Sequence, residues 1–248
     1  MSIKVNTEFL AKNSEKAAKR GDLIIIIDAL RCCSSIVTAL ANGAEAIIPV
    51  KTLREAYRIH ARNPGYLLAG ERGGLKPRGF DLGNSPLEYA GERVHGKIIL
   101  LTTTSGTTAI TLSRNSKWVL IGSFLNARDV AEKAFAISKS ENLDISIVQS
   151  GTNGKFSLED FICAGAIIAR LPQNAIVLSD AALASLLAFK RVENDLYAAV
   201  AKSEHSRKLI ELGFMKDIKF SCQMDLFKVT PVYKRGKIIK WGSLDLGC

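Results

Sequence analysis

Residues 21–28 read Gly21-Asp22-Leu23-Ile24-Ile25-Ile26-Ile27-Asp28. A short, β-branched apolar run closed by an acid reads as a central strand buried on both faces. It is far too short to span a bilayer, which takes about 20 apolar residues. Apolar positions Ile36, Val37, Leu40 and Ala41 follow at helical spacing, with Asn42-Gly43 as the stop signal. The same alternation continues outward, with strands expected over 46–50, 66–69, 97–101, 118–121 and 145–149. Helical patterns lie between them at 53–61, around Ala109, Ile110 and Leu112, at 126–139 and at 158–171. Strands alternating with helices indicate an α/β fold, a mainly parallel sheet covered by helices on both faces.

Beyond Ser179 the pattern turns helical, over 179–190, 193–201 and 203–212. Two short strand signals, 226–233 and 237–241, flank Lys234-Arg235-Gly236 and read as a hairpin, expected as an antiparallel edge of the sheet. No repeat, low-complexity stretch or linker interrupts the chain, so 1–248 is expected to be a single domain.

Composition narrows the function classes. Hydrophobic residues at 47% and charged residues at 23% suit a globular chain and exclude a disordered one. Lys4, Glu8, Lys12 and Glu15 interrupt any apolar leader, so no membrane association and a cytoplasmic protein are expected. The five cysteines include no CxxC pair or zinc spacing and are expected to be inert thiols. A net charge of +10 would attract any polyanion. The basic residues are scattered, however, so nucleic acid is not expected and a small multiply charged anion fits better.

Two loops stand out. Residues 70–86 (GERGGLKPRGFDLGNSP) form a long Gly- and Pro-rich segment, and residues 149–160 (QSGTNGKFSLED) join a strand to a helix and end in paired acids. Ligands of parallel sheets bind beyond the carboxyl ends of strands. Asp28 with Arg31, Glu71 with Arg72, the Thr102-Thr103-Thr104-Ser105-Gly106 turn, and Ser150-Gly151 with Glu159-Asp160 all fall there. Carboxylates so placed suit magnesium, which takes a few carboxylates plus water and substrate oxygens. Neighbouring arginines suit phosphate or sulfonate, and a hydroxyl-rich turn offers N–H donors to the same anion. The set points to metal-assisted phosphoryl hydrolysis.

Each element has a plainer reading when taken singly. Asp28 and Arg31 form a local ion pair, Ser157 with Glu159-Asp160 caps a helix, and Thr102 to Ser105 is a cap cluster. His60, His95 and His205 lie apart in the sequence and are read as non-catalytic. Asp28 is followed by Ala29-Leu30-Arg31 rather than by x-Asp-x-Thr, and no cysteine-phosphatase cradle, Arg-His-Gly or GxxxxGK[ST] loop occurs. Direct attack by water is therefore expected, rather than a phosphoenzyme.

At these residues the sequence resembles the 2-phosphosulfolactate phosphatase family. The resemblance runs nearly end to end, through Ile27 to Arg31, Asn42 to Ala44, Ile47 to Val50, Ala69 to Gly74, Gly79 to Pro86, Thr102 to Thr107, Ser157 to Asp160 and Asp217-Ile218. It implies a three-layer α/β/α fold and a magnesium-dependent hydrolase that releases phosphate from 2-phosphosulfolactate, giving sulfolactate on the route to coenzyme M. It implies Asp28, Glu71, Glu159 and Asp160 at or near the metal, with Asp28 or Glu71 as base. Arg31 and Arg72 would hold the substrate's anionic groups, one or the other stabilising the charge that develops on the phosphoryl group. Asn84, Ser85, Thr103, Thr104, Ser105 and Gly106 would help hold the anionic substrate. The chain departs from the family pattern at Cys32-Cys33, where Ala-Thr is frequent, and at Ser105, where Asn is frequent. An alternative keeps the fold without turnover, as a binding protein for a phosphorylated or sulfonated metabolite. An apolar, helix-rich C-terminal third leaves room for a homo-oligomer interface.

Overall fold

The computed structural model describes residues 2–243. Its strands are β1 (Ile3–Glu8), β2 (Leu23–Ile27), β3 (Ala46–Pro49), β4 (Leu67–Gly70), β5 (Ile98–Thr102), β6 (Val119–Gly122), β7 (Ile145–Gln149), β8 (Ile176–Leu178), β9 (Pro231–Lys234) and β10 (Lys237–Lys240). The helices are α1 (Ser14–Arg20), α2 (Cys32–Ala41), α3 (Leu53–Arg62), α4 (Gly91–Val94), α5 (Gly106–Leu112) and α6 (Ala127–Glu141). They continue as α7 (Leu158–Ile168), α8 (Asp180–Val192), α9 (Leu196–Val200), α10 (Glu204–Glu211) and α11 (Met215–Ser221).

All ten strands join one mixed sheet in the order β4-β5-β3-β10-β9-β6-β2-β7-β1-β8. The run read first, β2, is fully buried and pairs in parallel with β6 and β7, as an uninterrupted apolar strand should. Two parallel blocks, β4-β5-β3 and β6-β2-β7-β1-β8, are joined by the β9–β10 hairpin.

That hairpin corrects the expectation of an edge. It lies inside the sheet, with Ile238 opposite Ile47 and Val232 opposite Leu120. Val232 and Ile238 are buried on both sides of the turn, while the lysines that punctuate these strands make the sequence look like an edge. Every pairing from β3 through the hairpin to β6 is antiparallel, so the two blocks run in opposite senses along the sheet.

The sheet wraps around α2. Ile36 and Val37 of that helix share one core with Ile24 and Ile26 of β2 and with Ile99 and Leu101 of β5. The opposite face is covered by α6, α7 and α8 under the larger block, through Val130, Ile167 and Phe189. Under the smaller block it is covered by α3, through Ala56 against Leu68 and Leu100. The result is the three-layer α/β/α arrangement. β1 and β8 carry only weak strand signals and were not expected, nor was α11.

Candidate active site

The carboxyl ends of β2, β4 and β5, the β7–α7 loop and α10 meet at a cavity of about 190 Å³ that opens to solvent. Asp28 is buried at its floor. Its Oδ1 accepts from the Cys32 N–H at 3.1 Å, and the Cys33 N–H donates to its backbone carbonyl at 2.9 Å, so the start of α2 holds it. Burial pushes its carboxyl up to about 6, helped by the charges of Glu71 and Glu159 and opposed by His205 and the Cys32 amide. Gly106 permits this geometry. A Cβ there would lie 2.7 Å from Asp28 Oδ2 and 2.6 Å from Cys32 Sγ, so only glycine lets the Thr-rich turn come this close.

Glu71 is a bridge between two turns. Its Oε1 accepts from the Thr104 N–H and its Oε2 from the Gly74 N–H, each at 2.7 Å. Asp160 has a parallel role, with Oδ1 accepting from Ala29 at 2.8 Å and Oδ2 from Gly151 at 3.1 Å. Its carboxyl is pushed well up by burial and by the charges of Asp28 and Glu159. Ser157 does cap α7, accepting from the Asp160 N–H at 3.4 Å, and both acids behind it nevertheless line the cavity. The cap reading and the site reading hold together.

Arg31 lines the cavity but does not pair with Asp28. Its guanidinium donates to Asp217 Oδ2 at 2.7 Å and to the Gly74 carbonyl at 2.6 Å, and stacks over Phe214 at 4.0 Å. Arg72 turns away from the cavity and donates to the Glu71 carbonyl at 2.6 Å and to Thr102 Oγ1 at 2.8 Å. Ser85 lies behind the wall, where its hydroxyl donates to Asp217 Oδ1 at 2.8 Å. Asn84, Thr103, Thr104 and Ser105 line the cavity, and the buried Asn84 Oδ1 has no protein partner.

Sequence reading missed the contribution of α10, which brings Glu204, His205 and Lys208 to the wall. His205, isolated in the sequence, is not isolated in the fold: its Nδ1 lies 3.1 Å from Glu159 Oε1. Burial pushes Glu159 up, but the hydrogen bond and charge of His205 outweigh it and hold the carboxyl below its ordinary range. The only sequence signal was the spacing of Glu204, His205 and Lys208 on one helical face behind the Ser203 cap. Cys32, Cys33, Cys163 and Cys222 are buried and unpaired, and burial pushes all four thiols up, as inert thiols require. Cys248 lies outside the described residues.

The donor set suits a hard cation. Five acids line the cavity (Asp28, Glu71, Glu159, Asp160 and Glu204), against the side-chain cations Arg31 and Lys208. Among the described residues no three His, Cys, Asp or Glu side chains are gathered tightly enough to hold a metal unaided. Magnesium needs no such cage, since water and substrate oxygens complete its shell. Asn84 lines the same space, and its buried Oδ1 has no hydrogen-bond partner among the described residues. No helix among the described residues is long and apolar enough to cross a membrane.

Comparison with known proteins gives the family. Residues 9–236 match the family model for 2-phosphosulpholactate phosphatase. A Thermotoga petrophila protein named "Probable 2-phosphosulfolactate phosphatase" is 48% identical over 215 residues, covering 87% of this chain and 90% of that protein. Proteins of the same name from Caldanaerobacter subterraneus and Clostridium acetobutylicum are 44% and 38% identical, covering 86% and 96% of this chain and 88% and 100% of their own lengths. The chain belongs to the 2-phosphosulpholactate phosphatase family.

Proposed function

We propose that the protein is a magnesium-dependent phosphatase that hydrolyses 2-phosphosulfolactate to sulfolactate and phosphate, a step towards coenzyme M. The observation that carries this reading is the convergence of Asp28, Glu71, Glu159 and Asp160 with the Thr103–Ser105 turn around one cavity. Asp28 lines the cavity and would hold the ion, with Glu159 and Asp160 supplying negative charge beside it. Magnesium, when bound, neutralises charge on the phosphoryl oxygens.

The protein's own residues do the rest. Asp28, at the carboxyl end of β2 and lining the cavity, takes a proton from the attacking water. As the new P–O bond forms, the ester P–O bond breaks and the leaving oxygen gains a proton to become the product hydroxyl. His205, held by Glu159, serves that oxygen from the α10 wall. Thr104 and Ser105 hydroxyls donate to the phosphoryl oxygens, and Glu71 fixes their turn. Arg31 contributes positive charge from a fixed position. Buried free thiols support a cytoplasmic location. Exposed Leu183 and Leu187 on α8 support a homo-oligomer.

The test is phosphate release from 2-phosphosulfolactate with magnesium and with a chelator. Release that needs the metal supports the reading. Binding of sulfolactate without any release would favour the non-catalytic alternative and overturn it.

A further inference from the structure

The cations expected to read the substrate's anionic groups are already committed. Arg31 is tied to Asp217 and the Gly74 carbonyl, and Arg72 to the Glu71 carbonyl and Thr102. Lys208 remains. It lines the cavity, is exposed, and makes no ion pair among the described residues, even with Glu204 one turn earlier on α10. Its position follows from packing. A Cβ on Gly74 would meet Leu212 Cδ1 at 2.9 Å and Leu209 Cδ2 at 3.8 Å, so α10 rests directly on the Gly73–Gly74 turn. Leu212 is the cap that ends α10, four residues after Lys208 and on the same side of the helix. Lys208 therefore stands beside the turn that Arg31 and Glu71 anchor.

Resting on the phosphatase reading, we infer that Lys208 is a specificity residue: its ammonium holds the sulfonate tail of the substrate at the cavity mouth. The acid-rich floor repels a second anion unless a cation offsets it, so the phosphate and the tail need separate positive partners. A sulfonate has three equivalent oxygens on a tetrahedral sulfur, which a lysine's compact point charge can meet from any side. The flexible stem of a surface lysine can follow the tail as it enters, and the net charge of +10 favours its approach.

The experiment compares 2-phosphosulfolactate with 2-phospholactate, which differs only in lacking the sulfonate. Lys208→Gln is expected to lower kcat/KM for the sulfonated substrate about tenfold more than for the plain one, with Lys208→Arg recovering most of the ratio. Equal losses on both substrates, or none, would overturn the inference while leaving the phosphatase reading intact. Calorimetry with 3-sulfolactate gives a readout independent of turnover. Lys208→Gln should weaken its binding about tenfold relative to wild type while thermal melting stays the same. An unchanged Kd overturns the assignment even if the wild-type protein hydrolyses neither substrate.

Discussion

Arg31 and Asp217, 186 residues apart in the chain, meet at 2.7 Å with both side chains almost wholly buried. The same Asp217 accepts from Ser85, so the long Gly-rich loop, α2 and α11 are locked together behind the cavity. Removing the acid leaves a buried guanidinium uncompensated. Asp217→Ala is expected to destabilise the protein by about 3–5 kcal/mol, measured by urea unfolding. A loss under 1 kcal/mol would show that Arg31 finds another partner or water.

Asp28 gives a prediction about pH. Its folded-state pKa of about 6 exceeds the ordinary value of 3.8, so between these values the folded protein binds more protons than the unfolded one. Stability of the metal-free protein therefore falls as pH rises through that window, by at most about 3 kcal/mol from this group. Asp160, also raised, adds a change of the same sign. With chelator present, Asp28→Asn should raise the melting temperature at pH 7.5 but hardly at pH 4. Magnesium should stabilise wild type more at pH 7.5 than at pH 4, and more than it stabilises the variant.

The same substitution is expected to reduce phosphate release at least about 100-fold, the scale of a lost general base. Binding of 3-sulfolactate should survive. Retained turnover with wild-type kinetics would move the base elsewhere in the cavity.

Gly106→Ala places a methyl against both Asp28 Oδ2 and Cys32 Sγ. Overpacking of this kind costs about 1–3 kcal/mol, and here it pushes the Thr-rich turn away from the acid. Activity should fall at least about tenfold, with the loss mainly in kcat. A variant with full activity would mean that the turn does not need its close approach.

Glu71→Gln keeps the shape but removes charge and one acceptor from a residue whose two oxygens each take a backbone N–H. The expected cost is about 1.5–3 kcal/mol. Hydrogen exchange should show the amides of Gly74 and Thr104 opening together, because a single side chain ties both turns.

Much of this was legible because it is local chemistry. Leu23 to Ile27 declared a buried strand, Ser157 a helix cap, and Asp28, Glu71 and Asp160 fell at strand ends and helix starts, where acids serve ligands. Periodicity and capping act over a few residues, so the sequence carries them without help. Three matters lay beyond that range. Arg31 meets Asp217 rather than the nearby Asp28, because the fold brings Asp217 to one guanidinium nitrogen and the Gly74 carbonyl to the other. The hairpin took the middle of the sheet, because Val232 and Ile238 find apolar neighbours there that lysine-marked strands do not advertise. His205 and Lys208 reached the cavity because α10 packs on the Gly73–Gly74 turn. Sequence alone determined which acids and hydroxyls stand at the strand ends. Only tertiary packing, in which a wrapped sheet brings β2 and β5 to one cavity, decided which cations meet them there.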